Sequence, residues 1–121
     1  MIGIGIDAVD VERFRRSLER TPTLRTRLFT PAELEYLVDR VDPVPGLAAR
    51  FAAREAAMKA LDQGLGAWGF HDVSVVRIGL GPPKLLVVGK ATEVAASLGV
   101  RSWRVSLTHT DTVAMAVVAA L

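Results

Sequence analysis

The chain has 121 residues, half of them hydrophobic, with a mean hydropathy of +0.32, a formal net charge of +2 and no cysteine. That length suits one domain, and the lack of cysteine excludes thiol catalysis, thiolate zinc sites and disulfides. The apolar excess in so small a chain predicts surface reserved for partner subunits, and the absence of any apolar run near the roughly 20 residues of a membrane span predicts a soluble, unexported, cytoplasmic protein.

The first stretch, MIGIGIDAVD, alternates as a strand does, with Ile2, Ile4 and Ile6 on one face and Gly3, Gly5 and Asp7 on the other. Glycine weakens a strand interior, so this bare face predicts the close approach of another backbone or a ligand. GIGIDA also fits the dinucleotide fingerprint G-x-G-x-x-A through Gly3, Gly5 and Ala8. Only Met1 and Ile2 precede the first glycine, and no repeated βαβ units follow, which argues against that reading. Residues 10–20 read as an amphipathic helix with Val11, Phe14 and Leu18 on one face and Arg13, Arg16 and Arg20 on another. With Arg15, Arg25 and Arg27 they form a basic segment. It has no interleaved aromatics and the chain has little net charge, so an acidic protein or anionic ligand fits it better than nucleic acid.

Thr30-Pro31-Ala32-Glu33 is a capping-box start for a second helix. Asp42-Pro43-Val44-Pro45-Gly46 predicts a break, after which LAARFAAREAAMKALDQ, residues 47–63, reads as the strongest helix of the chain, stopped by Gly64 and Gly66. In the second half, DVSVVRIGL and LLVVG around GPPK predict a hairpin, GKATEVAASLGV a short helix ended by Gly99, and SWRVSLTH with TVAMAVVAAL two strands around a polar THTDT tip. Helices in the first half and antiparallel strands in the second make the fold class α+β, a single domain over 1–121.

Glu55 and Lys59 stand four apart on the long helix, with Ala48 and Ala52 on nearly the same line. Alone they describe an exposed ion pair. The small-residue stripe, set beside a glycine strand face ending in Asp7, adds a second reading in which the carboxylates of Asp7 and Glu55 meet. Two carboxylates without cysteine or paired histidines suit magnesium and phosphate chemistry, with a lysine at hand to steady a leaving phosphate. His109 in the polar tip is a better candidate for function than His71, and Asp111 reads equally well as a turn residue.

GIGIDAVDVERF, RLFTPAEL, LAARFAAREAAMKAL and SLTHTD occur in the order found in bacterial holo-acyl-carrier-protein synthases, the small trimeric class of 4'-phosphopantetheinyl transferases, and the chain resembles that family from end to end. The resemblance implies transfer of the phosphopantetheine arm of coenzyme A to a serine of apo acyl carrier protein, with magnesium, leaving adenosine 3',5'-bisphosphate. It implies that Asp7 and Glu55 bind the metal, that Glu55 or a water takes the serine proton, and that Lys59 assists the leaving phosphate. Arg50, Lys59 and His109 match residues that hold the coenzyme, and Gly64 and Gly66 match a loop bordering it. Arg13 and Arg20 lie in the helix that such enzymes present to the acidic carrier, and the implied homotrimer sets each site between subunits. Three positions depart from the family pattern: Arg54 where lysine is frequent, Asp62 where glycine is, and a larger side chain at Met58. The rival from another class is a non-catalytic oligomeric module that binds a nucleotide or acidic protein through the same arginines.

Overall fold

A computed structural model describes residues 1–121. Strand β1 (Gly3–Asp10) leads into helix α1 (Val11–Arg20), followed by α2 (Leu24–Leu28), α3 (Pro31–Leu37) and the long α4 (Val44–Ala60). A 3-10 turn at Phe70–Asp72 precedes β2 (Val73–Val76) and β3 (Lys84–Val87), then α5 (Gly89–Ser97), β4 (Trp103–His109) and β5 (Val113–Ala120). The strands form a three-stranded antiparallel sheet in the order β1-β5-β4 and a separate antiparallel pair, β2-β3. The α+β expectation holds.

Helix α4 is the axis of the molecule. Its alanines are buried almost all the way round, because the three-stranded sheet covers one side while β2, α5 and helices α1 and α3 cover the rest. A helix apolar on every side is what a central position requires. The glycine face of β1 lies directly on it. A methyl group on Gly3 would overlap the Ala60 carbonyl and one on Gly5 the Ala56 carbonyl, so only glycine permits this strand-helix distance. The partners are Ala56 and Ala60, one turn beyond the Ala48-Ala52 pair singled out in the sequence.

Element boundaries shift for identifiable reasons. Helix α4 starts at Val44, inside the predicted break, because a proline in the first turn gives up only an amide that has no intrahelical acceptor. It ends before Gly64, in a Schellman turn: Gln63 N donates to the Met58 carbonyl at 2.8 Å and Asp62 N to the Lys59 carbonyl at 3.1 Å, with Asp62 at φ +54. The residue that departs from the glycine frequent in the family thus occupies the left-handed position glycine prefers. Met58 fills core volume, and β2 and β3 are four residues each, shorter than expected. Helix α2 was not anticipated.

One face of the three-stranded sheet is uncovered. In register across it lie Ile4 beside Ala119, Ile6 beside Val117 and Ala8 beside Met115, with Ile4 60% and Ile6 56% exposed.

Candidate active site

Strand β1 carries Asp7 on the same inward face as Gly3 and Gly5, but further along, in a cleft that Glu55 of α4 also lines. Asp7, Asp10 and Glu55 line one cleft of about 380 Å³, together with Arg13, Ser17 and Phe51. The Glu55 carboxyl is pushed up from its ordinary value, first by burial and then by the negative charge of Asp7, against the pull of Lys59. Lys59 makes no ion pair with Glu55. It crosses to β1, where its Nζ donates to Asp7 Oδ1 at 3.0 Å and to the Ile6 carbonyl at 3.1 Å. The local i, i+4 pair therefore gives way to a contact between elements, made to a carboxylate on β1 and to the backbone carbonyl beside it.

A hard divalent cation fits these groups. Two neighbouring carboxylates offer only oxygen donors, and a cation beside them would offset both the burial and the Asp7 charge that push the Glu55 carboxyl up. No third carboxylate or histidine joins them as a ligand cluster, so Asp7 and Glu55 would leave positions for water and substrate oxygens.

Helix α1 is held to this site by its own cap, Asp10 Oδ1 accepting from Arg13 N at 2.8 Å. Val11, Phe14 and Leu18 are buried as the sequence predicts, and Arg13, Arg16 and Arg20 form an exposed stripe whose first member reaches the carboxylate cleft. Arg15 lies off the stripe and is bound by Asp42 and Glu12.

Arg50 and His109 come together elsewhere. They line a second cleft of about 460 Å³ between α3, α4, the β2-β3 connection and the end of β4, with Tyr36, Arg40, Arg77 and Thr108. Its one acid, Asp42, is occupied: Arg15 grips both carboxylate oxygens, at 3.0 and 2.7 Å, and holds the carboxyl below the usual carboxylate range. The cleft is thereby left strongly cationic. Arg50 is buried without an ion pair, and burial pushes its guanidinium pKa down, an effect to which Arg77 and Arg40 add while Glu33 and Tyr36 oppose it. The two clefts have no residue in common within one chain. Gly64 and Gly66 line neither; they form an exposed loop beyond α4, Gly66 at φ +92.

Arg54 belongs to neither cleft. It makes a two-point contact with Glu33, 2.9 and 2.5 Å, donates through Nε to the Phe70 carbonyl at 2.9 Å and lies over the Phe29 ring. Sequence reasoning missed Tyr36, Arg40 and Arg77. Only Tyr36 has a local signal: it follows the capping glutamate by three residues, so the two share a face of α3.

Residues 3–118 match the family described as the 4'-phosphopantetheinyl transferase superfamily. A holo-[acyl-carrier-protein] synthase of Moorella thermoacetica is 44% identical over 117 residues, 97% of this chain and 91% of the relative. Among solved structures, holo-[acyl-carrier-protein] synthase from Neisseria meningitidis superposes with a TM-score of 0.89 at 29% identity, over 100% of this chain and 98% of that one. The Helicobacter pylori enzyme, solved in complex with coenzyme A, gives 0.79 at 26% identity over 98% and 99% of the two chains.

Proposed function

The chain belongs to the 4'-phosphopantetheinyl transferase superfamily and is an enzyme of its holo-acyl-carrier-protein synthase branch; on that premise we propose that it moves the phosphopantetheine arm of coenzyme A to a serine hydroxyl of an apo acyl carrier protein, with magnesium, in the cytoplasm. The observation that carries this reading is the meeting of Asp7 and Glu55 at one cleft, with Lys59 bonded to Asp7 beside it and Arg13 of the basic helix in the cleft lining.

Asp7 and Glu55 would hold magnesium, which when bound neutralises charge on the pyrophosphate. The serine oxygen forms a bond to the β-phosphorus while the bond from that phosphorus to the bridging oxygen breaks, and adenosine 3',5'-bisphosphate leaves with the electron pair. The serine proton passes to Glu55 or to a water beside it. Lys59 is 55% exposed on a flexible stem, so its ammonium can swing from Asp7 to steady the departing phosphate.

Arg50 and His109 would hold the nucleotide end of the coenzyme. Because their cleft is separate from the carboxylates within one chain, a homotrimer that joins the two clefts from neighbouring subunits accounts for both, with Gly64 and Gly66 bordering the coenzyme at the junction. The uncovered sheet face with Ile4, Ile6 and Met115 is apolar surface suited to such packing. The free arginines Arg13 and Arg20 suit an acidic carrier surface.

The test is incubation with coenzyme A, magnesium and a panel of apo carriers, followed by weighing the carrier. A phosphopantetheine mass gain is expected, and it should vanish with Asp7→Asn or Glu55→Gln while the fold persists. No gain with any carrier would sink the reading, and full activity in either variant would remove that residue from the site.

A further inference from the structure

Arg50 is 5% exposed, yet its charge is almost unserved. Its Nη1 donates to the Gly46 carbonyl at 3.2 Å, and its Nε is buried with no partner. What faces the guanidinium is the ring of Tyr36, 5.3 Å from Arg50 Cζ; the same ring lies 5.4 Å from Arg40 Cζ. The tyrosine hydroxyl donates to the Gly79 carbonyl at 3.2 Å. Gly79 has φ +57 and sits in the β2-β3 connection, two residues after Arg77, whose own Nε donates to the Gly81 carbonyl at 2.8 Å. One side chain of α3 thus touches two of the three arginines and the backbone that carries the third.

We infer that Tyr36 is a positioning residue of the cationic cleft: its ring sets the Arg50 and Arg40 guanidinium groups, and its hydroxyl sets the Gly79 turn that carries Arg77, so that the three converge on one phosphate ester. The physical need is plain. Three guanidinium groups at one cleft repel each other, and long arginine side chains lose much rotamer freedom when an anion orders them. A π face offsets the unpaired charge at the cleft wall and fixes the geometry in advance. Resting on the function proposed above, the phosphate ester is the nucleotide end of coenzyme A, and its 3'-phosphate is the group a dephosphorylated analogue lacks.

The full chain is assayed as Tyr36→Phe and Tyr36→Leu with coenzyme A and with 3'-dephospho-coenzyme A, alongside thermal unfolding. Removing the ring in Tyr36→Leu should raise KM for coenzyme A about tenfold and that for the dephosphorylated substrate much less, with the carrier KM unchanged. Tyr36→Phe keeps the ring and should restore most of this discrimination, with KM for coenzyme A about threefold above wild type from the lost Gly79 contact. A purely structural role would move Tm and both coenzyme KM values together. Equal factors for the two substrates in Tyr36→Leu, or an unchanged coenzyme KM in Tyr36→Phe, would overturn the inference. If Tyr36→Leu does not fold, Tyr36→Phe decides alone. Failure of the wild-type chain to modify any carrier would instead bring down the function it rests on.

Discussion

Arg50 and Arg54 stand one turn apart on α4, both at least 95% buried, and they live in opposite surroundings. Every side of the Arg54 guanidinium is answered by Glu33, by the Phe70 and Arg50 carbonyls or by the Phe29 ring. Glu33 exerts its charge on Arg50 as well, but both its oxygens are spent on Arg54, the Thr30 cap and Val75 N. Arg50 is left with one hydrogen bond and an aromatic ring. A buried cation that is fully paired ties elements together; one left unpaired at the wall of a cleft is poised for a ligand. Here the difference separates a joint between α3, α4 and β2 from the residue proposed to bind coenzyme A, although the two side chains look alike in sequence.

The contrast can be broken by removing charges one at a time. Glu33→Ala strands Arg54 in the core and should cost about 3–5 kcal/mol of stability, read by urea unfolding. Arg50→Met, which keeps volume and discards an unpaired charge, should change stability by less than about 1.5 kcal/mol while raising KM for coenzyme A. Equal losses in the two variants would erase the distinction between joint and binding residue.

Acid should act on the joint through Glu33. Burial pushes the Glu33 carboxyl up, but the hydrogen bonds and charge of Arg54, with the Val75 and Thr30 amides, outweigh it and hold the group below its ordinary value of 4.5. A carboxyl depressed in the folded state adds stability that is fully present above the ordinary value and is lost as pH falls through the folded-state value. The stability gap between wild type and Glu33→Gln should therefore be constant from neutral pH to about 5 and narrow below about 4. A gap that stayed constant to pH 3 would contradict the pairing.

The smallest effect belongs at the end of the same helix. Asp62→Gly should stabilise by up to about 1 kcal/mol, because glycine adopts the left-handed Schellman position without the crowding a Cβ brings there. Unfolding midpoints that coincide would show that Asp62 bears no cost at φ +54.

Much of this was legible locally. The alternation in MIGIGIDA gave the shared face of Gly3, Gly5 and Asp7, and Thr30-x-x-Glu33 gave the cap, because both depend on repeats of two or three residues. The same Glu33 is also the buried partner of Arg54, a second use invisible to spacing, since the pair is 21 residues apart. Lys59 was read beside Glu55 and instead reaches Asp7, 52 residues away. Helix α2 went unseen because five residues carry too little periodicity to register.

By itself, then, the sequence determined the class of the fold, the bare face of β1, the arginine stripe of α1 and, through four ordered motifs, the family. These follow from local periodicity and from residue types that the chemistry demands. Only the tertiary structure decided which charges meet. Packing α4 between two layers buries Arg50 and Arg54 and sets Lys59 beside β1 whatever their spacing, and each then takes the partner that the opposing element happens to bring: Glu33 for Arg54, Asp7 for Lys59, and for Arg50 only a tyrosine ring.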